Sequence, residues 1–412
     1  MRILITNLYL ANHSGSENFA ELLADGLRRA GHTPMVYAPM LGPQALSMRR
    51  RGIAVVDRLD QISETPDVIH AQHLTPAFAA MLRFPDVPVV YTCHSSQFVV
   101  EAPIPHPRIR SVVAVDEACA RRCRDQGFEG GKVKIILNPV DLERFARRPP
   151  LPEKPSRALL LTKTAGQRQA VAAACRSAGI ALDELGHASG KIATDLEKRL
   201  LDYDVVFATA RMALEAAAVG CAVIVCDDRG FAGMLTYSEL ERWRRYNFGA
   251  GILSHPTTEE RLASAIAQYD PADAAKVCET LRSEAGLGPF TEQYLEVYRE
   301  AIDSPAPGRD ELAAADAYWA EELAISPAQR RWRQIAAELG LFDQGPSLAD
   351  AIARLDRIEA SVRLDEAVTR LDRIEAGVNS GFARFNGRFL VLGWRGTGIV
   401  RLLRRIAKPH SD

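Results

Sequence analysis

The run Thr209-Ala210-Arg211-Met212-Ala213-Leu214-Glu215 sets a cation and, four residues later, a carboxylate at the head of a short helix. Apolar runs flank it at Val205–Thr209 and Ala222–Cys226, with the helix over about Met212–Val219 stopped by Gly220. Continuous apolar runs joined through a helix predict a βαβ unit in a parallel sheet covered on both faces. In such sheets ligands sit beyond the carboxyl ends of the strands, where helix N-termini present free N–H groups. Ala208–Arg211 occupies that crest, and Glu215 is the helix's only acidic residue, about one turn in. By spacing alone, a single glutamate on a short helix is equally a solvated surface residue.

Other residues fall at equivalent places. Gly15 and Ser16 close a loop, LYLANHSGSEN, that runs from a first strand into a helix N-terminus, a fit place for phosphate or sugar hydroxyls. His94 follows an apolar strand that starts after Pro88, so it emerges on a crest either as a site residue or as a hydrogen-bonded structural one. His70 and His73 read as structural, and the three histidines lack the spacing of a metal site. Lys163 follows the strand Ala158–Thr162, and Gly230 lies in a glycine-containing loop, Arg229–Gly233, beyond the strand that ends at Cys226.

The elements that must position these residues divide in two. In the first half, strands are expected at 2–7, 33–37, 55–56, 68–70, 89–92, 111–115 and 132–137, with a helix at Glu17–Arg29. A dinucleotide-binding domain would need G-x-G-x-x-G after strand one and an acidic residue ending strand two; Ala38 and Pro39 stand at the latter place, which argues against NAD-type binding. Asn138-Pro139 and the proline-rich run Arg147–Pro155 form a linker. The second half adds strands at 158–162 and 181–185, the central βαβ unit, and helices at 237–246, 256–269, 272–282 and 291–301. Two such halves in series create a cleft between facing crests, suited to a donor on one side and an acceptor on the other.

The totals fit this plan. A chain of 412 residues exceeds one ordinary core, and 47% hydrophobic with 25% charged residues is a soluble globular composition. A net charge of -1 argues against bulk nucleic-acid binding. Seven cysteines, mostly in apolar or helical runs, read as reduced thiols of a cytoplasmic protein. The N-terminus begins directly in a strand without signal-peptide features, and no apolar run is long enough to span a membrane.

Taken in order, several segments resemble the retaining GT-B-fold glycosyltransferases of the family 4 type. GSEN resembles the small-residue and Glu loop, DVIHAQH the D-V-V-H-x-H stretch, and VVYTCHSS the strand ending in the active-site His. KVKIILNPVDLERF is similar to K-x-x-V-I-P-N-G-V-D-x-x-x-F, ALEAAAVGCAVIVCD to E-A-x-A-x-G-x-P-V-V-x-x-D, and YLEVYREAI to the final helix. The resemblance covers about residues 1–302. It implies an α/β GT-B fold of two Rossmann-like domains, 1–147 on the acceptor side and 156–302 on the nucleotide-sugar side.

The resemblance also implies roles. Glu215 falls on the second Glu of E-x7-E, which holds the ribose; two carboxylate oxygens suit a diol. Lys163 falls near the basic residue facing the diphosphate, His94 on the histidine contacting the donor sugar, and Gly15 and Ser16 on the loop approaching phosphate and sugar. Arg211 adds positive charge for a diphosphate, and Gly230 is grouped with the donor-binding residues. Position 207, the first Glu of the motif, is Phe207, which cannot accept hydrogen bonds from sugar hydroxyls. Arg168 and Gln169 stand near the family's second basic position. Asp202-Tyr203-Asp204 has the D-x-D form but precedes its strand, so no metal site is expected, and no cofactor beyond the nucleotide-sugar substrate.

The C-terminal region is a separate appendage. After the break Ser304–Gly308, residues 309–378 are helix-rich, and RLDRIEA recurs at Arg354 and Arg370. Apolar residues at spacings of three and four predict an amphipathic helix that packs on its own chain or self-associates as a coiled coil. Residues 379–412 mix arginines with aromatic and aliphatic residues, which suits an anionic membrane surface at the inner face of the membrane. The expected function is transfer of a sugar from a nucleotide-sugar donor to a glycan or lipid-linked acceptor, with retention and without metal. The alternative is a non-catalytic GT-B-like scaffold in a glycan assembly system.

Overall fold

The computed structural model describes residues 1–11, 14–96, 98–162, 165–186, 189–190 and 195–324. Lys163, Lys191, the RLDRIEA repeats and the basic run 379–412 lie outside the described residues. The first sheet contains β1 (Arg2–Thr6), β2 (Thr33–Tyr37), β3 (Ala54–Val56), β4 (Val68–Ala71), β5 (Val89–Cys93), β6 (Ile109–Ala114) and β7 (Val133–Ile135). All are parallel, in the order β3-β2-β1-β4-β5-β6-β7. Every residue of β4 and β5 is buried, as apolar strands covered on both faces must be. The strand order reverses between β1 and β4, the switch point at which a crevice opens above the sheet.

The second sheet contains β8 (Arg157–Thr162), β9 (Ala181–Gly186), β10 (Val205–Ala208), β11 (Ala222–Asp227) and β12 (Gly230–Met234), in the order β12-β11-β10-β8-β9. Its switch point lies between β8 and β10, directly below the Arg211–Glu215 helix. The stretch Arg229–Gly233, expected as a loop, is instead the antiparallel edge strand β12. Gly230 and Gly233 hide the period-two pattern by which a strand is read, and both take positive φ there.

The Gly15–Arg29 helix starts two residues before the expected Glu17. The fully buried Glu17 carboxylate folds back to accept from the backbone N–H groups of Ser14 and Ala11, the latter at 2.7 Å. This fixes the loop entry ahead of Gly15.

After the second sheet the chain returns to the first. The Leu287–Asp303 helix buries Phe290, Tyr294 and Tyr298 in the core of the first sheet. Tyr294 Oη lies 3.3 Å from Thr92 Oγ1, and Tyr298 Oη lies 2.7 Å from His70 Nδ1. His70 is thus a fully buried structural histidine. The Arg309–Ala324 helix that opens the 309–378 region docks there too, through fully buried Trp319, whose Nε1 donates to Pro105 O at 3.2 Å.

The central βαβ unit matches its expectation closely. The helix is Ala210–Val219, and Gly220 takes φ 106 as the left-handed C-cap. A Cβ at Gly220 would also lie 3.4 Å from Arg148 Cγ. Gly220→Ala is therefore expected to lower unfolding stability by about 1–2 kcal/mol, the cost of a left-handed L-residue, in urea titrations.

Candidate functional site

β10 passes into its helix at Thr209, so Arg211 stands in the first helical turn and Glu215 one turn further. Arg211 Nε lies 3.0 Å from Glu215 Oε1. A cation at the N-terminal end of a helix opposes the macrodipole, and an Arg preceding Glu by four is the less favourable order. Arg211 Nη1 is, moreover, buried without a hydrogen-bond partner. The Arg211 side chain is partly exposed, so its guanidinium keeps capacity for an anion at the strand ends where ligands bind above parallel sheets.

Glu215 is almost fully buried. Burial pushes its carboxyl pKa up, opposed by the charges of Arg211 and Arg144 and reinforced by Glu197. Arg144 itself pairs with Glu197 at 3.0 Å. Phe207 is fully buried inside β10 among Leu160, Val171 and Ile224, so position 207 belongs to the core and not to the crest.

Several other sequence-derived candidates have structural partners. Arg168 pairs with Glu184 of β9, with Nε 2.6 Å from Oε1. Asp204 accepts from Ser156 N, Arg157 N and Ser156 Oγ and pairs with Arg148 at 3.0 Å. Those bonds occupy the carboxylate at the start of β8. Among the described residues no group of three or more His, Cys, Asp or Glu side chains could hold a metal ion. Gly230, with φ 159, opens β12 beside Asp227; a Cβ there would come within 2.9 Å of His255 O. Asp227 in turn accepts from Thr209 Oγ1 at 3.2 Å, so Gly230 shapes the hairpin next to the helix head.

On the first sheet, His94 follows β5 and stacks edge-on against Phe19 at 4.5 Å between ring centroids. Phe19 is one turn beyond Ser16 on the Gly15–Arg29 helix, so the structure brings His94 and the Gly15–Ser16 helix head together. A Cβ at Gly15 would meet nothing within 4 Å, leaving that backbone open to approach. His94 is half-buried with Nε2 enclosed and unpartnered. Burial lowers its pKa to about 4, with Glu101 pulling it up and His73 pushing it down.

A strap that the sequence did not reveal connects the two crests. Asn247 and Phe248 both take left-handed backbone, φ 46 and 54. Asn247 Nδ2 donates to Val115 O at the end of β6, and its Oδ1 accepts from Asn138 N and from Arg244. Arg244 also donates to Asn138 O, and burial lowers its pKa to about 10. One residue on, Phe248 O accepts from Ala210 N at 2.7 Å. The first sheet is thereby tied to the residue before Arg211.

Residues 13–144 match the sequence profile of Glycosyltransferase Family 4. No curated protein matches the sequence. Among solved structures, HepE of Anabaena in complex with UDP and glucose is similar with a TM-score of 0.54 at 14% identity, covering 73% of this chain and 99% of that one. The same protein with UDP-glucose gives 0.52 at 15% identity, over 73% and 99%. The fold is GT-B. In this GT-B chain the Arg211–Glu215 helix stands on the second Rossmann-like sheet, while His94 and the Gly15–Ser16 helix head stand on the first.

The histidine gives a direct check on this geometry. A folded pKa near 4 against an unfolded value near 6.5 means that the unfolded chain binds more protons between those limits, so stability falls as pH falls through that window. Ring NMR is expected to show His94 neutral down to about pH 4, and His94→Gln is expected to make the acid loss of stability shallower.

Proposed function

We propose that the protein is a glycosyltransferase that moves a sugar from a nucleotide-sugar donor to a glycan or lipid-linked acceptor, with retained anomeric configuration and without a metal. Its support is the match to Glycosyltransferase Family 4 over residues 13–144 and the GT-B fold. The observation that carries it is the Arg211–Glu215 pair, a cation against the helix dipole with a buried, unpartnered nitrogen beside a buried carboxylate.

In this reading Glu215 accepts from the ribose hydroxyls, and Arg211 and Lys163 face the diphosphate. His94 contacts the donor sugar, with Gly15 and Ser16 closing over the phosphates. The acceptor hydroxyl oxygen attacks the anomeric carbon on the face from which the nucleoside diphosphate leaves; the electron pair of the broken C–O bond departs with the diphosphate, whose leaving oxygen takes up the hydroxyl proton. Fixed cations stabilise that developing charge, and the two crests hold donor and acceptor together on that same face.

Two variants test the donor site by calorimetry with UDP, GDP, ADP and CMP and their sugar conjugates. Glu215→Ala is expected to weaken the preferred nucleotide at least about tenfold, the worth of a charge-assisted hydrogen bond. Because the buried carboxyl has a raised pKa, its ionised form costs the empty protein stability at neutral pH, and the cost lifts as pH falls through the folded pKa. The neutral isostere Glu215→Gln is therefore expected to keep or raise Tm while losing nucleotide. A drop in Tm with nucleotide affinity intact would make the pair purely structural.

Phe207 favours a second reading, a non-catalytic GT-B-like scaffold, because the motif's first carboxylate is replaced by a core residue. Absence of binding by any nucleotide in the panel selects it. We further propose that the 379–412 run holds the protein at an anionic membrane surface and that 309–378 mediates self-association. No helix among the described residues is long and apolar enough to cross a membrane. Full-length protein is expected to float with anionic liposomes, and a chain ending at Gly377 is not.

A further inference from the structure

A parallel crossover is ordinarily a helix. Between β5 and β6 the chain returns from the crest to the base of the first sheet without one, and among the described residues the short turn Val99–Glu101 is its one regular element. Pro103, Pro105 and Pro107 alternate through its second half, and proline has no backbone N–H to bond with. Such a stretch cannot hold itself, and side chains grip it at both ends. Near the crest Arg122 Nη1 donates to Ser95 O at 2.7 Å and to Phe98 O at 2.8 Å. Near the base Trp319 Nε1 donates to Pro105 O at 3.2 Å. Between the two grips Glu101 Oε1 lies 3.7 Å from His73 Nε2, beside the end of β4.

The base grip belongs to the Arg309–Ala324 helix, which has little else to hold it. Of residues 309–320 Trp319 alone is buried, at 0% exposure, while Leu312 and Ala315 are half-buried and the others exposed. The Trp319 ring packs on Phe78 of the Leu74–Arg83 helix at 5.3 Å and edge-on to His106 at 5.6 Å between ring centroids. His106 Nδ1 accepts from Arg108 N at 3.1 Å, so the ring proton sits on Nε2 and is donated to Asp316 Oδ1 at 3.1 Å. One indole and one carboxylate are a small hold for a helix of 16 residues. A segment with so little buried surface opens without the rest of the fold.

We propose that the Arg309–Ala324 helix is a single-anchor latch on the β5–β6 crossover. Seated, Trp319 and Asp316 hold Pro105 and His106; an alternating-proline run is stiff and extended, so that hold reaches Glu101 and the loop after His94. Unseated, the run is released at its base and the crest loop opens with it. The chain continues from Ala324 into residues 325–412, so an event there that displaces the helix is felt at the crest of the first sheet. This goes beyond the transferase reading and does not depend on it.

The test uses full-length protein with ¹⁵N-labelled histidine, as wild type, Trp319→Ala and Asp316→Ala, read by amide hydrogen exchange and ring NMR. In the wild type the 309–324 amides are expected to exchange at least about tenfold faster than those of β4 and β5, because the helix opens alone. Trp319→Ala is expected to speed the 309–324 amides at least about tenfold further and to leave β4 and β5 unchanged. In that variant the His94 ring, assigned through His94→Gln, is expected to titrate above its value of about 4, toward the ordinary 6.5, since burial is what lowers it. Asp316→Ala is expected to move both readings the same way by less. Faster exchange at 309–324 with His94 unmoved makes the helix a passenger and overturns the latch. Exchange at 309–324 that is unchanged in both variants, or that rises equally in β4 and β5, makes the helix part of the fixed core and overturns it too.

Discussion

A guanidinium at the positive end of a helix is electrostatically misplaced, and its contact with one buried carboxylate holds Arg211 there. Neither partner is best served by the other alone. Burial raises the pKa of Glu215 despite two nearby arginines, and Arg211 retains an enclosed nitrogen without a partner. An anion placed against Arg211 would satisfy that nitrogen, and hydroxyls would satisfy the carboxylate. In the proposed function, nucleotide binding would recover the stability given up locally in the empty pair.

The rest of the molecule fixes that tension in space. β10 and β11 run parallel and buried, Gly220 ends the helix in a left-handed turn, and Ala210 is tied to Phe248 O. Through Asn247 and Arg244 the same strap grips Val115 and Asn138, so the head of the Ala210–Val219 helix is referenced to the first sheet. The return of the Leu287–Asp303 helix onto the first sheet adds a second tie, with Tyr294 and Tyr298 bonded below the crest of His94. A two-sheet transferase of the proposed kind would need such ties, because reacting atoms on separate bodies must meet within a fraction of an ångström.

The parallel sheets were legible because strands buried on both faces write continuous apolar runs, and Gly220 is a stop signal with a direct backbone cause. β12 was not, since edge-strand glycines erase alternation. The period of the Leu287–Asp303 helix shows a buried face but not which sheet it covers. Arg211, Glu215, His94 and Gly15 could be placed on crests from strand ends alone. The strap at Asn247, the pairing of Arg168 with Glu184 and the approach of Glu101 to His73 depend on contacts between residues distant in sequence. Left-handed backbone at His73, Asn247 and Phe248 leaves no mark in residue type beyond asparagine's tolerance of it.

The most direct measurement is a crystal structure of the full chain with the nucleotide it binds. The account predicts a ribose hydroxyl within hydrogen-bond reach of Glu215, a phosphate oxygen on Arg211, and an Arg211 Nε–Glu215 Oε1 separation longer than the 3.0 Å of the empty site. A nucleotide bound elsewhere with that pair intact would contradict it.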